Sequence, residues 1–184
     1  MARTKLSKRG IIFIALSIVV LVGLTLVGVF TFNKVSSNSP IDLTLEFMNN
    51  YKNATSKVMN EVKYPFDDEL SDTQFNTYKD LIRSQYKSMT YEIVEETVGE
   101  VDAIIKVDFA VYDYASSYDK ANSYLSLYEK DKTLDEKVNY KLKEMANTKE
   151  KVTYSIEFKY YKLDDVWYMT DFNASNYQKL AGTF

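Results

Sequence analysis

Lys151-Val-Thr-Tyr-Ser-Ile-Glu-Phe-Lys-Tyr-Tyr161 sets Val152, Tyr154, Ile156, Phe158 and Tyr160 against Thr153, Ser155, Glu157, Lys159 and Tyr161. That alternation is the period of a half-buried β-strand, whose successive side chains point to opposite faces; a helix would scatter the five apolar residues around its circumference. Leu163-Asp164-Asp165 is turn chemistry, and Val166-Trp167-Tyr168-Met169-Thr170-Asp171-Phe172 reads as the second strand of a hairpin. The fold therefore ends on an antiparallel pair.

Working upstream, Thr133 and Glu136 have capping-box spacing, and Leu134, Val138, Leu142 and Met145 form one apolar stripe, which predicts a helix to about Asn147. Tyr118, Ala121, Leu125 and Tyr128 predict a short helix before it, broken around Lys130-Asp131-Lys132. Residues 101–114 alternate Ile105, Val107, Phe109 and Val111 with Lys106, Asp108, Ala110 and Tyr112, a second half-buried strand. It is reached through a Gly99-Glu100 turn from a strand over 90–98. Ser71 and Gln74 again have capping-box spacing, opening a helix of about fifteen residues marked by Phe75, Tyr78, Leu81, Ile82 and Tyr86. Leu43, Phe47, Tyr51, Ala54, Val58 and Val62 predict one amphipathic helix over 41–62, limited by Pro65. Two helices, two strands, two helices and two strands make an α+β domain of helices on an antiparallel sheet of about four strands.

The first forty residues follow other rules. Residues 11–32 are 22 residues without a charge, which as a helix would reach about 33 Å, enough to cross a hydrocarbon core of about 30 Å. Arg3, Lys5, Lys8 and Arg9 precede the run and only Lys34 follows closely, which predicts a cytoplasmic N-terminus and everything after Phe32 outside. A cleaved signal peptide is the rival reading, with Val35-Ser36-Ser37 as its cleavage site, but signal hydrophobic regions run about 7–15 residues, shorter than this one. The expected organisation is a basic tail over 1–10, a transmembrane helix over 11–32, a polar linker over 33–40 and an extracytoplasmic domain over 41–184.

Composition excludes much chemistry. With no Cys and no His there is no disulfide, zinc finger, lipidated Cys, Cys nucleophile, Ser-His-Asp triad or imidazole proton shuttle. Of 23 basic residues four lie in the tail, leaving 19 against 26 acidic ones, a net charge of −7 beyond it. Such a domain has no electrostatic footprint for nucleic acid. The carboxylates Asp164, Asp165, Glu92, Glu95 and Glu96 lack the ligand spacing of a calcium loop, so neither a metal nor a cofactor is expected.

At the hairpin a resemblance enters. The stretch 152–172, a long strand, a charged turn and Trp167 with Met169 two places on, resembles the end of NTF2-like, cystatin-like α+β domains. The closing Asn176-Tyr177-Gln178-Lys179-Leu180-Ala181-Gly182-Thr183-Phe184 looks like the tail of small membrane-attached or lipoprotein domains of this type in Gram-positive bacteria. The resemblance covers residues 41–184 and implies a curved sheet wrapped over helices around a cone-shaped pocket, used by different members for catalysis, ligand binding, dimerisation or nothing. Enzymes of that superfamily commonly place an Asp-His pair in the pocket, and this chain has no His.

Candidate pocket-lining residues are Tyr154, Trp167 and Asp171, with Asp108 as a further carboxylate. Sixteen Tyr and ten Phe are the compositional anomaly, and Tyr112, Tyr114, Tyr118, Tyr124 and Tyr128 are the candidate partner face, because aromatics are enriched at recognition surfaces. The expected function is a membrane-anchored, non-catalytic binding domain. Its partners are the lipid bilayer through 11–32 and an envelope protein, a wall component or another copy of itself. A scaffold subunit of a conjugation or secretion machine, and a small-molecule binder or enzyme using the cone pocket, are the alternatives. The pocket reading expects Trp167→Ala to abolish ligand binding at unchanged stability.

Overall fold

A computed structural model describes residues 39–129, 131–170 and 172–184. The expected tail, transmembrane run and most of the linker, together with Lys130 and Asp171, lie outside the described residues. Among those described, no helix is long and apolar enough to cross a membrane.

Helix α1 (Pro40–Lys52) opens on Ser39, whose hydroxyl accepts from the Asp42 N–H, with Pro40 in the first turn where no donor is needed. The helix expected over 41–62 is two: α1 stops, the Asn53 and Ala54 N–H groups turn back to the Asn49 and Tyr51 carbonyls, and Ala54 takes a φ of 46° before α2 (Ser56–Asn60) begins. The periodicity concealed this break because α2 buries Val58 and Met59 in the same core as Met48 and Tyr51.

Helix α3 (Asp72–Ser88) has the full reciprocal capping box of Ser71 and Gln74. Strands β1 (Thr90–Val98) and β2 (Asp102–Tyr112) follow. β2 stops short of the expected Tyr114 because the Asp113 side chain accepts from the Ser116 N–H and starts α4 (Tyr114–Tyr128). α5 (Leu134–Asn147) has its own capping box, Thr133 with Glu136. β3 (Lys151–Leu163) and β4 (Val166–Met169) form the hairpin through Asp164 and Asp165, both at positive φ, the two-residue turn that matches strand twist. β4 does not continue to Phe172, which packs its ring 4.9 Å from Phe47 and 5.4 Å from Phe158. A last helix, α6 (Ala174–Ala181), was not anticipated; Asn173 caps it and Gly182 ends it at a φ of 69°.

The sheet is antiparallel throughout, in the order β1-β2-β3-β4. Ala103, Ile105, Val107, Phe109 and Val111 of β2 and Ile156, Phe158 and Tyr160 of β3 face the helices and are buried, while their alternates face outward. The described chain is thus an α+β domain, a four-stranded antiparallel sheet with helices on one face.

Two buried polar side chains tie helices to strands. Gln85 of α3 accepts from the Tyr112 N–H at 2.8 Å and donates to the Tyr112 and Ala181 carbonyls at 2.8 and 3.1 Å. Thr44 of α1 shares a 2.6 Å hydrogen bond with the Tyr160 hydroxyl. Both are satisfied groups, the condition under which burial of an amide or hydroxyl is tolerated.

Candidate functional site

Tyr154 and Trp167 both stand on the helix-facing side of the sheet and are half-buried. They do not share a pocket. Trp167 pairs with Lys162, eight residues along β3 from Tyr154, a separation of about 26 Å at ~3.3 Å per residue. Lys162 holds its ammonium 5.8 Å from the Trp167 ring centroid. Asp108 is on the outward face, where it accepts from the Ser155 hydroxyl, so the sheet itself separates it from Tyr154 and Trp167. Asp171 lies outside the described residues. The expected four-residue pocket is therefore not assembled by those described.

Two concavities lie along β3. One, of about 650 Å³, is broadly open and lined by Asp113, Ser116, Asp119 and Lys120 at the start of α4 with Tyr154 and Phe184. The Tyr154 hydroxyl donates to the Phe184 carbonyl at 3.0 Å, and the two rings meet edge to face. The other, of about 220 Å³, is lined by Glu157, Phe158 and Lys159 of β3 and by Met169, Phe172 and Asn176.

The five tyrosines divide. Tyr114 is buried, its hydroxyl donating to the Leu81 carbonyl at 3.3 Å, and burial pushes its phenol up to about 12. Tyr118 is buried as well, and Tyr112 is half-buried with Lys151 Nζ 5.1 Å from its ring centroid. Only Tyr124 and Tyr128 are exposed, their centroids 5.3 Å apart, with Tyr140 of α5 5.5 Å from Tyr124. Around them Leu127 is 67% exposed, Tyr128 71% and Leu134 58%, values that make the end of the α4–α5 hairpin an apolar surface rather than a core edge. Leu127, Leu134 and Tyr140 were missed from the sequence. Leu134 opens the stripe read as core and shares the face of Val138, but at the first position of α5 it lies at the end of the helix and stays exposed.

The densest polar chemistry was also missed. Lys141 of α5 sits beside Leu142 on the face that buries Val138 and Met145. Its Nζ is 2.8 and 3.1 Å from the two Asp68 carboxylate oxygens and donates to the Tyr118 hydroxyl at 3.2 Å. Tyr118 in turn donates to Asp68 at 2.6 Å and Tyr64 does so at 3.2 Å. The side chains of Lys141 and Asp68 are 6% and 10% exposed. Burial alone would raise the Asp68 carboxyl, but hydrogen bonds from Lys141 and Tyr118 and the ammonium charge outweigh it and hold the group below its ordinary value. Burial, then the hydrogen bond to Asp68, pushes the Tyr118 phenol well above its ordinary value. Neither concavity is lined by these groups, and the arrangement is that of a lock, fastening the loop between α2 and α3 onto α4 and α5. A lysine beside the apolar stripe of α5 was the available signal, since a buried ammonium requires a partner.

Among the described residues no cluster of three or more carboxylates is placed to hold a metal ion. No protein family matches the chain, and no curated protein does. Among solved structures it is similar to that of ycdA from Bacillus subtilis, described as a candidate lipoprotein, at 17% identity and a TM-score of 0.38, over 92% of this chain and 54% of that one. The chain thus spans about half the length of that protein.

Proposed function

We propose that the chain is a single-pass membrane protein presenting a non-catalytic, NTF2-like binding domain outside the cell. The observation that carries this reading is the uncharged 22-residue run over 11–32, preceded by four cationic residues and followed, after a short polar linker, by a folded α+β domain. Binding is supported by Leu127, Tyr128 and Leu134, three strongly exposed apolar side chains at the end of the α4–α5 hairpin. A scaffold role in an envelope machine is the same reading with its partner specified. Use of the concavity beside Tyr154 for a small molecule is the alternative.

The absence of cysteine makes topology testable without background. On intact cells, Ser123→Cys reacts with a membrane-impermeant maleimide and Thr4→Cys does not, while alkaline carbonate leaves the chain in the membrane; labelling of Thr4→Cys alone would overturn the orientation. Crosslinking in native membranes should then capture a partner in wild type and lose it in Leu127→Ser/Tyr128→Ser. That double variant should unfold within about 0.5 kcal/mol of wild type, since its side chains are exposed.

A further inference from the structure

We propose that the domain pairs with a second copy of itself along the free edge of β3, joining two four-stranded sheets into one. This rests on the binding reading above and adds a second contact to it, through residues other than Leu127 and Tyr128. β3 has 13 residues and β4 only four, so the β4 register covers 160–163 and leaves the rest of that edge without a neighbouring strand. The Thr170 N–H donates to the Lys159 carbonyl at 2.8 Å, which fixes the side to which Lys159 points; by alternation the backbone N–H and C=O groups of Glu157, Ser155, Thr153 and Lys151 point the same way. Among the described residues, no backbone group bonds to these four from that side.

The opposite edge of the sheet is bulged and its charges are of one sign, whereas this edge is regular and carries both signs. β1 carries a register shift between Ile93 and Glu95 and presents Glu92, Glu95 and Glu96, the bulge and charges by which edge strands avoid pairing. The stretch 151–159 has no bulge, no proline and two small hydroxyl residues at its centre.

The sequence of this edge is complementary to itself. An antiparallel pair with its twofold axis at Tyr154 sets Lys151 opposite the partner's Glu157 and Thr153 opposite the partner's Ser155, each twice. All four pairs then have their backbone groups turned toward each other, which gives about eight hydrogen bonds at two per pair. Two oppositely charged pairs lie on the outward face, and on the inner face Val152 meets the partner's Ile156. Among the described residues Glu157 makes an exposed ion pair with Lys159, at 3.7 Å, which is readily exchanged. The concavities beside Tyr154 and Phe158 lie along this strand and leave room for inward side chains of a neighbour. An interface of one strand pair is small, so the dimer should form toward the upper end of a concentration series, and confinement of both copies to one membrane would only strengthen it.

Sedimentation velocity of the full chain in dodecyl maltoside micelles, over a concentration series, tests the pairing. Wild type should dimerise, and Ser155→Pro, which removes an edge N–H, should raise the midpoint concentration at least about tenfold. Lys151→Glu and Glu157→Lys should each weaken the dimer about tenfold, and the two together should restore it to within about threefold, because the swap preserves this register and no other. Thermal melts of the charge variants should match wild type. A chain that stays monomeric, a dimer indifferent to Ser155→Pro, or a swap that fails to rescue would each overturn the proposal. So would a monomer holding a different envelope protein through this edge. Failure of the anchoring reading shows separately, as release by carbonate, and leaves these outcomes unchanged.

Discussion

Lys141→Ala is expected to destabilise the domain by about 3–5 kcal/mol, seen as a lowered urea midpoint when unfolding is followed by the fluorescence of Trp167, the single tryptophan. Removing the ammonium leaves Asp68 ionised, 10% exposed and held only by the Tyr118 and Tyr64 hydroxyls. The cost is that of an uncompensated buried charge and exceeds any attraction lost. Replacing both members, as Lys141→Met/Asp68→Leu, should therefore recover most of the loss, since an apolar pair of similar volume leaves no unpaired charge. If the double variant is as unstable as the single one, the cluster is held by its tyrosines and the lock is wrongly assigned.

The same pair predicts an acid limb. The Asp68 carboxyl titrates below its ordinary value of 3.8 in the folded chain, so its contribution is fully present above that value. It is lost as pH falls through the lower folded value, because there the folded state must take up a proton that the unfolded chain already holds. Between neutrality and pH 5 this group should leave stability unchanged, and below about pH 4 wild type should lose stability more steeply than Asp68→Asn. Parallel acid limbs in the two proteins would refute the assignment.

How far the sequence could be read follows from what each feature depends on. Both capping boxes, at Ser71 and Thr133, and the alternation of β2 and β3 are local patterns, and each element begins within a residue of where its pattern places it. The break at Ala54 and the early end of β4 are set by tertiary packing: α2 keeps the apolar stripe of α1, and Phe172 leaves the strand for the space between Phe47 and Phe158. α6 is legible in Asn173 as a cap, Leu180-Ala181 as a buried face and Gly182 as a stop, but at eight residues it is too short for its periodicity to stand out from a tail. Site residues fared less well because period two says which face a residue is on and nothing of how far along the strand its companions lie. Tyr154 and Trp167 share a face and stand at opposite ends of it. Of the tyrosines, Tyr118 and Tyr128 lie on one helix at nearly the same spacing as core residues, and only the presence of α5 and the α2–α3 loop buries the first and leaves the second in solvent.

Gly182→Ala is the second substitution expected to be severe, at about 3–5 kcal/mol. Gly182 ends α6 in the left-handed region, with its N–H on the Lys179 carbonyl at 3.0 Å and the Thr183 N–H on the Gln178 carbonyl at 2.9 Å, the paired bonds of a Schellman cap. A side chain there costs about 1–2 kcal/mol for the backbone alone. It would also place Cβ 2.1 Å from the Tyr112 carbonyl oxygen and 2.3 Å from Gln85 Nε2. Neither can retreat, because that carbonyl is the acceptor Gln85 uses at 2.8 Å to join α3 to β2. The end of α6 must move instead, giving up the Gln85 bond to Ala181 and the Ala115 bond to Gly182, each worth about 1 kcal/mol. Gly99→Ala supplies the contrast: its Cβ would meet the end of the exposed Asp102 side chain, at 2.6 Å and free to rotate away, and the Asp102 carbonyl oxygen at 3.3 Å, and should cost only about 1 kcal/mol. The displacement has a functional reading too, since the residues after Gly182 place the Phe184 carbonyl on Tyr154. Gly182→Ala at a temperature where it remains folded should therefore weaken pairing at the β3 edge, whose proposed axis is at Tyr154. Unimpaired association in that variant would show that the edge, and not the tail packed on it, holds the two copies together.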